Sequence, residues 1–143
     1  MPYRYVDDAT TADVAFEAYG ESLERLLSEA WSATVGLMVE DPARLKKQER
    51  RQITVESEDP EMLLFELLGE LLYYKDAEGI LLALQACELE RHGERYRFSA
   101  TAQGERIDPG RQRLGVDIKA VTLHQFYLRQ IEEGWEARVV LDT

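Results

Sequence analysis

The sequence has 143 residues, 45% hydrophobic and 31% charged, which suits one domain, 1–143, with a packed core. Seventeen basic against 28 acidic residues leave a formal charge of −11 at neutral pH, a field that repels phosphate backbones and disfavours tight direct nucleic-acid binding. No apolar run reaches the ~18 residues that a membrane-crossing helix needs, and the opening stretch lacks a signal-peptide core. The single cysteine, Cys87, excludes a disulfide within the chain and fits a reducing, cytoplasmic setting.

Taken in chain order, Val14, Phe16 and Ala18 alternate with Ala15, Glu17 and Tyr19, which predicts a half-buried strand closed by Gly20. Leu23, Leu26, Leu27, Ala30, Trp31 and Val35 recur at spacings of three and four, which predicts a helix over 22–38. The polar stretch 41–52 reads as a loop, with a basic cluster of Arg44, Lys46, Lys47, Arg50 and Arg51 on a solvated face. Ile53 and Val55 mark a short strand. Asp59-Pro60 is a helix start, since Asp caps free amides and Pro suits the first turn. The helix that follows is apolar on most sides and should be deeply packed, against a curved sheet.

The remainder reads as β. Strands are expected over 80–90, around Tyr96, Phe98 and Ala100, over 115–123, and along Ala137, Val139 and Leu141. The stretch 103–113, with its Asp108-Pro109-Gly110 turn signal, reads as a loop. Two helices among six or seven strands predict an α+β fold, with helices packed on a mostly antiparallel sheet.

No phosphate-cradling Gly-rich loop, HExxH, paired-cysteine zinc site or GxSxG is present. His92 precedes Gly93 in an expected hairpin turn, His124 follows a strand, and both read as structural or solvated. Cys87 reads as a small buried hydrophobe. Position singles out two carboxylates. Asp13 enters the first clear strand, and Asp142 follows the apolar run Val139-Val140-Leu141. If those strands are neighbours and the chain terminates at Thr143, Asp13, Asp142 and the terminal carboxylate converge. Such hard oxygens suit Ca²⁺ or Mg²⁺, although solvated acids at strand ends are common. Lys119 interrupts the apolar alternation of 115–123. It is either a solvent-face lysine or a cation presented to a phosphate or an acidic partner site.

Three segments, in order, resemble the archease family. Thr11-Ala12-Asp13-Val14, with Phe16-Glu17-Ala18-Tyr19-Gly20, is similar to the family's HTADV segment and the strand ending in Gly. MLLFELLGELLYYKDAEG, 62–79, resembles the central helix. Val116-Asp117-Ile118-Lys119-Ala120-Val121-Thr122, with the closing Val139-Val140-Leu141-Asp142-Thr143, supplies the third. Two departures stand out: Thr10 replaces the histidine before Thr-Ala-Asp, and Thr143 replaces a terminal aliphatic.

The resemblance implies a strand-helix-strand-strand module with an inserted helix-containing segment. It implies no enzyme but an activator of the 3′-phosphate RNA-splicing ligase, which joins tRNA halves or repairs broken RNA. That ligase uses GTP and divalent metal to guanylylate its own histidine. The activator promotes this guanylylation and lets the ligase turn over repeatedly, meeting RNA only through it. The family's metal ligands match Asp13, Asp142 and Thr143, and its essential lysine matches Lys119. Two rival classes remain open on the residues alone: a metal-dependent phosphoester hydrolase and a chaperone-like interaction module.

Overall fold

The computed structural model describes residues 2–6 and 13–143. The expected α+β fold is the one observed, as two antiparallel sheets with two helices between them. Strand β1 (Tyr3–Val6) leads to β2 (Asp13–Gly20), helix α1 (Leu23–Met38) and β3 (Glu49–Ser57). Helix α2 (Pro60–Tyr73) follows, then β4 (Ile80–His92), β5 (Arg95–Arg106), β6 (Ala120–Ile131) and β7 (Gly134–Asp142). One sheet has the order β1-β2-β7-β6 and the other β3-β5-β4.

The two sheets share one wiring. Strands β2, β6 and β7 with α1 form a strand-helix-strand-strand unit whose last strand lies between the other two. The inserted segment repeats this with β3, α2, β4 and β5.

The helices form where the sequence places caps and stripes. The Ser22 hydroxyl accepts the Arg25 amide at 3.1 Å, and the Asp59 carboxylate accepts the Glu61 amide at 2.9 Å, with Pro60 in the first turn. Helix α1 packs on β2 and β4, one strand from each sheet. Helix α2 packs on β3 and β6. Their leucines meet Phe16 and Val139 from one sheet and Ile53 and Phe98 from the other in a continuous core. Trp31 is fully buried, and its indole N–H donates to the Leu82 carbonyl at 2.9 Å, tying α1 to β4. The deep packing expected of α2 is observed, but between two sheets rather than on one.

Several boundaries differ from the sequence reading. The stretch 41–52 holds a 3₁₀ turn (Pro42–Arg44) and the first residues of β3, and 103–113 begins inside β5. Both are polar because they lie at sheet ends, where main-chain pairing rather than apolar alternation makes the strand. The strand expected over 115–123 begins only at Ala120 and runs on to Ile131. Cys87 is half-buried, on the strand next to α1 rather than in the core. Strand β1 was not expected. It lies outside β2, with the Tyr5 hydroxyl donating to the Ala33 carbonyl at 2.9 Å.

Candidate functional site

Antiparallel pairing of β2 with β7 puts Asp13 directly across from Asp142. Directly opposed residues point to the same face, with Cβ atoms about 5 Å apart. The two acids therefore stand side by side although 129 positions separate them in the chain (142 − 13). On the other side of β7, Ala120 is the partner of Asp142, and the Lys119 amide donates to the Asp142 carbonyl at 2.8 Å. Thr143 continues from Asp142 and is half-buried. All four residues singled out in the sequence thus lie at one end of the four-stranded sheet.

Strand β2 turns sharply at Gly20 into α1, so α1 runs back toward the acidic pair. Its last carbonyls are met by the incoming chain: Val116 N–H donates to Leu37 at 2.7 Å and Gly115 N–H to Met38 at 2.9 Å. This accounts for the late start of β6. Residues 115–119 have strand-like composition, but two of their amides cap a helix end instead of joining a ladder. They cross the end of the molecule and deliver Lys119 next to Asp142. Ile118 is fully buried and anchors the crossing, while Lys119 is exposed.

Helix α2 also ends here. It passes into a π-helical turn (Tyr74–Glu78), in which the Gly79 amide bonds to both Tyr74 and Lys75 carbonyls. Gly79 closes the turn at φ 67°, a left-handed conformation that favours glycine. Both helices therefore present carbonyl ends toward this side, and their partial negative charge favours a nearby cation.

Two like charges directly opposed across a strand pair destabilise the fold unless a cation lies between them. Aspartate oxygens are hard donors that match Ca²⁺ and Mg²⁺. Among the described residues, no group of three or more His, Cys, Asp or Glu side chains is close enough to hold a metal ion. Asp13 and Asp142 would thus need main-chain oxygens, such as those of Thr143, and water to complete a shell. That donor set fits a weakly held, partly hydrated divalent ion rather than a closed cage. Among the described residues, no ion pair engages Asp13, Asp142 or the Lys119 ammonium. Thr10, in place of the family's histidine, lies outside the described residues, as do Thr11 and Ala12.

Other residues noted in the sequence take structural places. His92 ends β4 and contacts Glu90 at 3.0 Å. His124 lies in an irregular part of β6, where residues 123–126 stand across from Val139 alone. Within the basic cluster, Arg44, Lys46, Lys47 and Arg50 are exposed, as expected of a solvated face. Arg51 is half-buried and bonds Glu78 at 2.7 Å. Arg44 and Lys46 line a cavity of about 570 Å³ with Arg111, Arg113 and buried Glu105. Lys75, in the π-helical turn, escaped the sequence reading; a lysine after an apolar helix looks like any C-terminal cation.

The description "Archease protein family (MTH1598/TM1083)" belongs to the family whose model matches residues 3–143. The chain is 33% identical over 133 residues to "Protein archease" of Pyrococcus abyssi, covering 92% of this chain and 93% of that one. It is 33% identical over 141 residues to "Protein archease" of Methanosarcina mazei, covering 98% and 94%. The solution structure of Methanobacterium thermoautotrophicum protein 1598 superimposes with a TM-score of 0.84 at 31% identity, over 99% of each chain. With a family match across nearly its whole length, relatives this similar and the same fold, the chain belongs to the archease family.

Proposed function

We propose that this chain is an accessory protein of RNA processing that activates the 3′-phosphate RNA-splicing ligase, promoting its GTP-dependent guanylylation and repeated turnover. Family membership supports an accessory role in RNA processing. The observation that carries the finer reading is the Asp13–Asp142 pair, with Lys119 bonded through its amide to the same end of β7. In this reading the acidic end, with a Ca²⁺ or Mg²⁺ ion between the carboxylates, docks at the ligase active site. The ion supplies positive charge for phosphate oxygens. Lys119, exposed on the segment that crosses the helix ends, presents a second cation to the same phosphates or to an acidic group of the ligase. The chain as a whole, at net charge −11, keeps RNA at a distance, so RNA is met through the ligase.

An activator shifts its partner only by binding one state more tightly than another. A hundredfold rise in the reactive population requires about 2.7 kcal/mol of differential binding, within reach of a few charge-assisted contacts. The test is guanylylation of limiting ligase, with wild type compared with Asp13→Ala, Asp142→Ala and Lys119→Ala. Each variant should lose most of the stimulation. Full stimulation by both aspartate variants would refute the site, and phosphatase activity of the chain alone would favour a hydrolase instead.

A further inference from the structure

Lys75 lies in the π-helical turn rather than on a strand, yet its side chain reaches the acidic end. Its side chain is only 9% exposed. The ammonium donates to the Asp117 carboxylate at 3.0 Å and to the Ile118 main-chain carbonyl, and lies 2.8 Å from Asp76. The Ile118 carbonyl and the Lys119 N–H are two ends of one peptide unit. That unit is planar and rigid, so holding both ends fixes its orientation. Lys75 holds the carbonyl end, and the Asp142 carbonyl holds the N–H end at 2.8 Å.

From this geometry we infer that Lys75 is a positioning residue that sets Lys119 and Asp142 through the Ile118–Lys119 peptide. An ammonium on the carbonyl polarises the peptide and strengthens the hydrogen bond made by its N–H. The chain of contacts runs from the Lys75 ammonium through one peptide plane to the Asp142 carbonyl, and Asp142 stands opposite Asp13. The π-helical turn makes this reach possible. It widens the last turn of α2 and redirects the side chain, an irregularity often found at functional sites. Burial opposes the charge on Lys75, but its bonds to Asp76 and Asp117 outweigh burial and lift its pKa above the usual lysine value. The donor therefore stays charged at neutral pH. Asp76 and Asp117 are themselves largely exposed, so they anchor Lys75 without closing off the surface that Lys119 shares.

The functional half of this inference rests on the activator reading; the structural half does not. Lys75→Met keeps most of the buried stem and removes the ammonium, and Lys75→Arg restores a cationic donor. Amide hydrogen exchange is followed residue by residue in the full chain, beside ligase stimulation over a range of activator concentrations. In Lys75→Met, exchange at the Lys119 amide should accelerate about tenfold, while amides of β5 keep their wild-type protection. Maximal stimulation should fall about fivefold, with little change in the concentration giving half of it, as expected when a docked group is misplaced rather than lost. Lys75→Arg should recover both. Unchanged Lys119 exchange in Lys75→Met overturns the inference, as does wild-type maximal stimulation by that variant. Acceleration across all amides also overturns it, because it marks a general loss of stability. If wild type stimulates no ligase, the activator reading falls, and Lys119 exchange still decides whether Lys75 positions that peptide.

Discussion

Replacing Asp142 by Asn should change the stability of this protein in opposite directions with and without a divalent cation. Asp13 and Asp142 are directly paired, so their Cβ atoms are about 5 Å apart. Two unit charges at that separation repel by roughly 0.8 kcal/mol at the dielectric of water, and by roughly 3 kcal/mol at an effective value of 20. Asp142 is exposed and Asp13 half-buried, which places the pair near the watery limit, with salt reducing it further. A net repulsion of about 0.5–1 kcal/mol follows. The Asn substitution keeps the shape and removes one charge. In chelator it should raise the thermal midpoint by about 2–4 °C. Wild type at a Ca²⁺ concentration a hundred times its dissociation constant gains about 2.7 kcal/mol. The ranking should therefore invert, with wild type several degrees more stable in Ca²⁺ while Asp142→Asn barely responds. Scanning calorimetry in chelator and in a Ca²⁺ series measures both. A variant less stable than wild type in chelator, or a wild-type midpoint indifferent to Ca²⁺ and Mg²⁺, refutes the reasoning.

The core and the buried carboxylate give further expectations. Trp31→Phe removes the donor to the Leu82 carbonyl and leaves a void, and should cost about 2–4 kcal/mol, read as a lower urea midpoint with an unchanged slope. Gly104→Ala would put a Cβ 1.7 Å from the Leu81 carbonyl oxygen, so β4 and β5 must part; a loss of about 3 kcal/mol or more is expected. Gly69→Ala, on the open side of α2 with nothing within 4 Å, should instead stabilise by about 0.5–1 kcal/mol in the same thermal assay. Burial pushes the Glu105 carboxyl up, but Arg111, Gln112 and the Lys46 amide outweigh it and hold its pKa below the ordinary glutamate value. A depressed folded pKa contributes stability above the unfolded value that is lost as pH falls through the folded one. Glu105→Gln should therefore be less stable than wild type at neutral pH, and the two denaturation midpoints should converge as pH falls below 4.5.

Much of the architecture was legible because local rules and tertiary structure agree in the helices. Leu23, Leu26, Leu27, Ala30 and Trp31 all face the core, and Ser22 and Asp59 both cap as their side-chain chemistry dictates. The polar start of β3 was not legible. Glu49, Arg50, Arg51 and Gln52 have no apolar alternation, and only their pairing with 101–104 of β5 makes them a strand. Residues 115–119 misled in the opposite direction. Their composition fits a strand, but hydrogen bonds to the end of α1 claim the Gly115 and Val116 amides. The acidic pair was legible as two positions and a condition, that β2 and β7 be neighbours. Register is set by packing along the whole strand and cannot be read from the acids themselves. Lys75 had no local signal, since its role depends on a carbonyl 43 positions away.

The placement of β7 between β2 and β6 carries a consequence for folding. Before β7 arrives, its neighbours share no hydrogen bonds with each other, and the four-stranded sheet is two separate parts. Contacts this distant in sequence form late, because a long loop must close first. The inserted segment, contiguous in the chain, has no such delay and can assemble around α2 beforehand. Docking of β7 is then the step that brings the two aspartates together, so a partner that grips both would distinguish a finished molecule from an incomplete one.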